Sequence, residues 1–159
     1  MRLVPPRPIA STDDLTRFTC GQAALDAWLC DHAQRSERER TARTYVVIDA
    51  DGEQLAGFYC LSSYSVERAT FGGAALARNT PPRVPVVLLG RLAIHTEYQG
   101  HGLGASMLHD AVRRATDVSD RIGSRALVVD AIDDNAAAFY RHHGFRPFPA
   151  DPLTLFHRL

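Results

Sequence analysis

Val86-Val87-Leu88-Leu89-Gly90-Arg91-Leu92-Ala93-Ile94 leads, four residues later, into Gln99-Gly100-His101-Gly102-Leu103-Gly104, and the reading of this stretch decides the fold. The first run is almost continuously apolar, as a strand covered on both faces requires. After the glycines, Leu103, Met107, Leu108, Ala111, Val112 and Ala115 recur at helical spacing. Ala126 to Ala131 then forms a second short buried strand, so the order is strand, glycine loop, helix, strand: one βαβ unit. The glycines fall where a helix presents unpaired N–H groups and the positive end of its dipole, which suits an anion. Alternating glycines alone are a weak signal, because many tight turns use them. Their position between a buried strand and a helix strengthens it.

Two other phosphate loops fit less well. A Walker A loop needs Gly-Lys-Ser/Thr, and all 18 basic residues of this chain are arginine. Gly100, Gly102 and Ala105 satisfy Rossmann spacing, but that loop should open the fold and place an acid at the end of the next strand. Here the loop comes late, and Asp117 and Asp120 precede that strand.

Upstream, Leu25, Trp28, Leu29 and Ala33 predict a first helix that continues through the polar stretch Gln34 to Arg43. Thr44 to Ile48 and Leu55 to Ser62 predict two antiparallel strands, joined at Asp51-Gly52 by a hairpin using φ > 0 positions. Ala69 to Pro85, broken by Gly72, Gly73, Pro81, Pro82 and Pro85, reads as a flexible loop. Downstream, a helix from about Asp134 to His142 is capped by Gly144 and followed by a final strand near Leu153 to Phe156.

The 159 residues suit a single domain spanning 1–159, and 45% hydrophobic content is enough for one core. Zero formal net charge excludes a bulk field drawing the chain to nucleic acid or membrane, so an anionic partner needs a local patch. Cys20, Cys30 and Cys60 have neither zinc-site spacing nor even number, and fit reduced thiols in the cytoplasm. The stretch Met1 to Pro6 lacks the apolar run of a signal peptide and nowhere do eighteen apolar residues follow one another, so neither a leader nor a membrane span is expected, and no metal site is expected either.

The strand, the Gln-Gly-x-Gly-x-Gly loop, the helix, the next strand, then Asn135 and Phe139-Tyr140, resemble the GNAT acetyltransferases. Phe18 to Gly21 with Leu25, Asp26, Trp28 and Leu29, then Gly57 to Ser62, Val84 to Ala93 and Ala138 to Phe145, resemble the toxin branch that acetylates the α-amino group of aminoacyl-tRNA and blocks translation. The resemblance implies an α/β (mixed α+β) acyl-CoA N-acyltransferase fold, with a central mixed sheet flanked by helices. It implies acetyl-CoA as cofactor, with backbone groups of Leu92, Ala93 and Ile94 on the acetyl and pantetheine. Gln99, Gly100, His101, Gly102, Leu103 and Gly104 would take the pyrophosphate, and Asn135 with Phe139 would flank the pantetheine arm. Tyr140 falls on the catalytic tyrosine. A ribbon-helix-helix antitoxin and a homodimer are the implied protein partners. The family loop usually carries Arg or Lys where this chain has His101, so a neutral imidazole adds less attraction for pyrophosphate.

Acyl transfer from a thioester needs a neutral amine, a polarised carbonyl and a proton for the departing thiolate. A tyrosine hydroxyl, protonated at pH 7, can supply that proton, although an aromatic beside Phe139 and Phe145 would on its own read as core. His95 and Glu97 are candidate bases at the strand end, set against a solvated loop edge. An α-amine with pKa about 7.7 to 8.0 needs such a base less than a lysine does. For tRNA phosphates the candidates are Arg35, Arg38, Arg40 and Arg43, with Arg78, Arg83, Arg91, Arg113 and Arg114 elsewhere. Glu37 and Glu39 interleave with the first group, so a salt-bridged solvent face competes with a binding patch, and Arg91 competes as an internal pair. Two rival functions remain at this stage: acetylation of a small-molecule or protein amine, and a non-catalytic acyl-CoA-binding module.

Overall fold

The computed structural model describes residues 1–73 and 75–159. Seven strands, β1 (Arg7–Pro8), β2 (Arg43–Asp49), β3 (Gln54–Glu67), β4 (Arg83–Ile94), β5 (Ala126–Asp130), β6 (Arg146–Phe148) and β7 (Asp151–Arg158), form one mixed sheet in the order β1-β2-β3-β4-β5-β7-β6. The α-helices are α1 (Ala23–Trp28), α2 (Gln34–Glu39), α3 (Leu103–Ser119) and α4 (Asp134–His142). By their contacts the residues cluster into two compact units, Met1–Ser62 with Arg91–Ala111 and Ser63–Gly90 with Val112–Leu159. Among the described residues no helix is long and apolar enough to cross a membrane.

In the first unit the expected first helix is present, with a π-helical turn at Leu29–Ala33 joining α1 to α2. It ends at Glu39 rather than Arg43, because Arg40 adopts the left-handed conformation (φ 61°) and Thr41 N–H reaches back to the Ser36 carbonyl. Leu29 and Ala33 are fully buried against Phe18, Val46, Leu55, Phe58 and Ala93, and Trp28 stacks on Phe58 with ring centroids 6.1 Å apart. The β2–β3 hairpin forms in antiparallel register, Val46 opposite Phe58. Its positive-φ residue is Glu53 (φ 49°) and not Gly52, which corrects the Asp51-Gly52 expectation. β3 also runs past Ser62 to Glu67.

In the second unit β4 and β5 pair in parallel, Val87 to Leu89 against Leu127 to Val129, and β7 runs antiparallel to β5. The stretch read as a flexible loop contains two 3-10 turns, Arg68–Phe71 and Ala75–Ala77, and β4 already starts at Arg83. Glycine and proline break long periodicities, yet Phe71, Leu76 and Ala77 are buried with Val84, Val86, Val128, Phe148 and Phe156, and that burial orders the turns. Ala74 lies outside the described residues. The final strand is longer than expected and belongs to a β6–β7 hairpin, which Pro147, Pro149 and Pro152 conceal from a periodicity reading. α4 has the expected bounds, with the Asp133 carboxylate accepting the Ala136 N–H at 2.8 Å as N-cap and Gly144 at φ 91° just beyond its end. Cys20, Cys30 and Cys60 are free thiols.

Candidate active site

The segment between β4 and α3 is fixed on one side and bare on the other. His95 N–H donates to Ala56 O at 2.8 Å, and Thr96 N–H to Thr19 O at 2.9 Å. The Gln99 side-chain amide donates to Ile94 O (2.9 Å) and to Cys20 O (3.0 Å), so its amide group ties down the start of the loop. Tyr98, 7% exposed, donates its hydroxyl to Asp49 Oδ2 at 2.6 Å. That hydrogen bond raises the phenol to about 12 and holds the Asp49 carboxyl below the usual carboxylate range.

Beyond Gln99 the anchoring stops. Gly100 (φ 81°) and Gly102 (φ 79°) take left-handed conformations, and a Cβ on either would meet nothing within 4 Å. Glycine is needed there for its backbone angles, with open space in front. Among the described residues, no backbone N–H from Gly100 to Ala105 is given to a protein acceptor; the first bonded amide is Ser106, to Gly102 O at 3.2 Å. Row and helix dipole together leave unpaired donors and a positive helix end at Gly100, His101, Gly102, Leu103 and Gly104, an arrangement that can receive an anion. His101 is exposed. On β4, Ala93 is buried while Leu92 and Ile94 are half-buried; the Ile94 carbonyl already serves Gln99, leaving one of its lone pairs.

His95 is not on a solvated edge. It is 3% exposed, accepts the Glu97 N–H on Nδ1 at 3.1 Å and meets Gln54 Nε2 through Nε2 at 2.7 Å. Both ring nitrogens are engaged, so a free base is not available there, whereas Glu97 is exposed.

In the second unit, α4 carries Asn135 exposed in its first turn, Phe139 half-buried and Tyr140 6% exposed. The Tyr140 ring meets Phe139 edge-on at 5.2 Å and Phe145 at 5.6 Å, so the core reading of this aromatic is correct as far as it goes. Its hydroxyl makes no hydrogen bond among the described residues, and burial alone pushes the phenol well above its ordinary value. The ring is buried, whereas the hydroxyl oxygen is not among the fully enclosed unsatisfied atoms of the described residues, so it stays open to an acceptor.

The arginines divide by their partners. Arg35 lies 3.5 Å from Glu39, Arg43 3.0 Å from Glu37, and Arg83 pairs with Glu67. Arg91 places its guanidinium 4.2 Å over the Trp28 ring. Arg38 and Arg78 are exposed and have no carboxylate partner among the described residues. Sequence reading missed Asp49 and Tyr98, because nothing local links a hairpin acid to a tyrosine 49 positions on. It also missed Asp110, whose carboxylate accepts the Tyr59 hydroxyl beneath α3.

The family model described as Acetyltransferase (GNAT) family matches residues 12–145. The chain is 43% identical over 150 residues to the tRNA-acetylating toxin of Mycobacterium tuberculosis (strain ATCC 25618 / H37Rv), covering 94% of this chain and 89% of that protein. Its fold is similar to AtaT complexed with acetyl-methionyl-tRNAfMet, with a TM-score of 0.89 and 31% identity over 98% of this chain and 94% of that one. It is also similar to an AtaT mutant toxin bound to the C-terminus of the antitoxin AtaR and acetyl-CoA, with a TM-score of 0.82 and 31% identity over 99% and 94% of the two chains.

Proposed function

The chain belongs to the acetyltransferase (GNAT) family, and from that membership we propose that it is an acetyl-CoA-dependent N-acetyltransferase that blocks translation by acetylating the α-amino group of aminoacyl-tRNA. The observation that carries the cofactor reading is the row of unpaired amides from Gly100 to Ala105, opened by two left-handed glycines. The acceptor reading is supported by 43% identity, across nearly the whole chain, to a toxin named for tRNA acetylation. Acetylation of a small-molecule or protein amine has no comparable support.

When bound, acetyl-CoA supplies an activated acyl carbon with a sulfur leaving group. The amides of residues 100–105 and the α3 dipole seat the pyrophosphate, backbone groups of Leu92 to Ile94 orient the acetyl and pantetheine, and Asn135 with Phe139 flanks the arm. With acetyl-CoA bound, Tyr140 would protonate the departing sulfur from its Oη and take a proton back from solvent, while the proton lost by the amine would go to solvent. Burial suits Tyr140 to this role by keeping it protonated at neutral pH. An α-amine of ordinary pKa is partly neutral at pH 7, so the engagement of His95 leaves no deficit. Of the candidate arginines, Arg38 and Arg78 supply the tRNA phosphate contacts, while Arg35, Arg83 and Arg91 are held by Glu39, Glu67 and the Trp28 ring. A ribbon-helix-helix antitoxin restrains the enzyme, a homodimer is its working form, and the cytoplasm, where aminoacyl-tRNA is found, is its place.

Labelled acetyl-CoA incubated with a charged tRNA pool tests this. Label is expected on the α-amino groups of tRNA-bound amino acids, and should disappear with Tyr140→Phe. Label confined to free amines or protein would overturn the reading.

A further inference from the structure

The turn that launches the glycine loop is held from below by a buried pair that no reading of the reaction requires. Asp49 and Tyr98 are 6% and 7% exposed, and their hydrogen bond spans 49 positions of sequence. The same carboxylate accepts the backbone N–H of Arg2 at 2.9 Å and of Asp51 at 3.1 Å on Oδ1. Gly52 closes over the pair: a Cβ there would lie 3.7 Å from Asp49 Oδ2 and 3.8 Å from the Tyr98 hydroxyl. The N-terminal segment is laced to the same hairpin by Val4 N–H to Ile48 O and Ala50 N–H to Arg2 O, each at 2.9 Å, and by the Met1 ammonium 3.2 Å from Asp51. One acid thus gathers the chain start, the β2–β3 turn and the residue immediately before Gln99.

We propose that Asp49 and Tyr98 are positioning residues for cofactor binding: their hydrogen bond fixes the His95–Gln99 turn and so holds the amides of residues 100–105 in the arrangement a diphosphate needs. This rests on the acetyl-CoA reading above. The loop itself cannot supply that order. A Cβ on Gly100 or Gly102 would meet nothing within 4 Å, and among the described residues no protein group accepts their amides. Binding to a row of amides is strong when the row is ordered beforehand and weaker when ordering must accompany binding. Tyr98 is the nearest buried side-chain anchor upstream of Gln99, and its charge-assisted bond is of the stronger kind. The raised Tyr98 phenol and lowered Asp49 carboxyl agree with a bond that stays made across the neutral range.

Tyr98→Phe removes one hydroxyl and leaves the ring in place. The KM for acetyl-CoA should rise roughly three- to tenfold, less than the full worth of a charge-assisted hydrogen bond because only part of its loss reaches the loop, with kcat unchanged, because pyrophosphate contacts do not change during acyl transfer. Asp49→Asn keeps a neutral bond in which its Nδ2 donates to the Tyr98 hydroxyl, so KM should rise in the same direction but by less. The double variant should be no worse than Tyr98→Phe alone, since both act on one bond, whereas two independent structural roles would add. In cofactor-free protein, hydrogen exchange of the His95, Thr96 and Tyr98 amides, bonded to Ala56, Thr19 and His95, should quicken in both variants, and this arm does not depend on the acetyl-CoA reading. A KM within twofold of wild type with unchanged exchange, or a fall in kcat at constant KM, overturns the proposal. Faster exchange in a protein whose wild type fails to bind acetyl-CoA would leave the pair in its positioning role and remove the cofactor reading instead.

Discussion

Gly57 on β3 lies so close to Met107 on α3 that a Cβ at Gly57 would sit 2.7 Å from the Met107 sulfur, with Ala93 O at 3.1 Å and Ile94 Cδ1 at 3.2 Å. Met107 is fully buried, so the sulfur has little room to retreat, and a main-chain oxygen blocks the other side. The missing side chain lets α3 lie directly on β3 at this point. Gly57→Ala should therefore cost about 1–3 kcal/mol of stability, the range for overpacking a tight core. Urea unfolding should show a lower midpoint with an unchanged slope. An unaltered midpoint would mean that the helix is free to move off the sheet.

Gly100 and Gly102 should respond differently, since nothing crowds them. A side chain at either position pays about 1–2 kcal/mol of left-handed backbone strain. Spent on the loop, this weakens acetyl-CoA binding by roughly fivefold to thirtyfold. Calorimetry on Gly100→Ala and Gly102→Ala should show that loss with little change in unfolding temperature, while His101→Arg should tighten binding. Wild-type affinity in both alanine variants would remove the main-chain cradle from the account.

Tyr140→Phe should keep cofactor affinity and lower kcat by about 10²- to 10⁴-fold, the usual contribution of a general acid. The pH profile follows from the direction of the shift. A phenol raised by burial keeps its proton above its ordinary pKa of about 10, so kcat should show no alkaline fall up to that pH. The ascending limb of kcat/KM should instead follow the acceptor α-amine, near pH 7.7 to 8.0 by its ordinary value of about that size. A descending limb near pH 8 that vanishes in Tyr140→Phe would contradict the assignment.

The parts of the fold legible in sequence were those with local periodicity or local backbone demands. Leu103 to Ala115 announces α3, Val86 to Ile94 announces the core of β4, and Gly144 ends α4 because few other residues tolerate φ near 91°. Phe71 and Leu76 were hidden because a 3-10 turn is too short for a period, and their burial depends on Phe148 and Phe156, far along the chain. The candidate site divides the same way. The glycines mark the cradle by spacing, whereas the Asp49–Tyr98 bond and the engagement of both His95 nitrogens exist only once distant strands are side by side. Tyr140 lies between, since its ring reads as core and only its family position singles out the hydroxyl.

The arginine patch can be separated by who already holds each guanidinium. Arg38 and Arg78 are exposed and meet no carboxylate among the described residues, whereas Arg35 and Arg83 face Glu39 and Glu67 and Arg91 rests on Trp28. A phosphate contact made by a free guanidinium releases about one counterion, so Arg38→Ala and Arg78→Ala should each weaken tRNA binding and flatten its salt dependence by about one unit of slope. Arg91→Ala should act chiefly through the lost ring contact, costing about 0.5–2 kcal/mol of stability with the salt slope nearly unchanged. Filter binding of charged tRNA across a salt series distinguishes the two groups. A slope altered by Arg91→Ala but not by Arg38→Ala or Arg78→Ala would move the phosphate path onto β4 and away from α2.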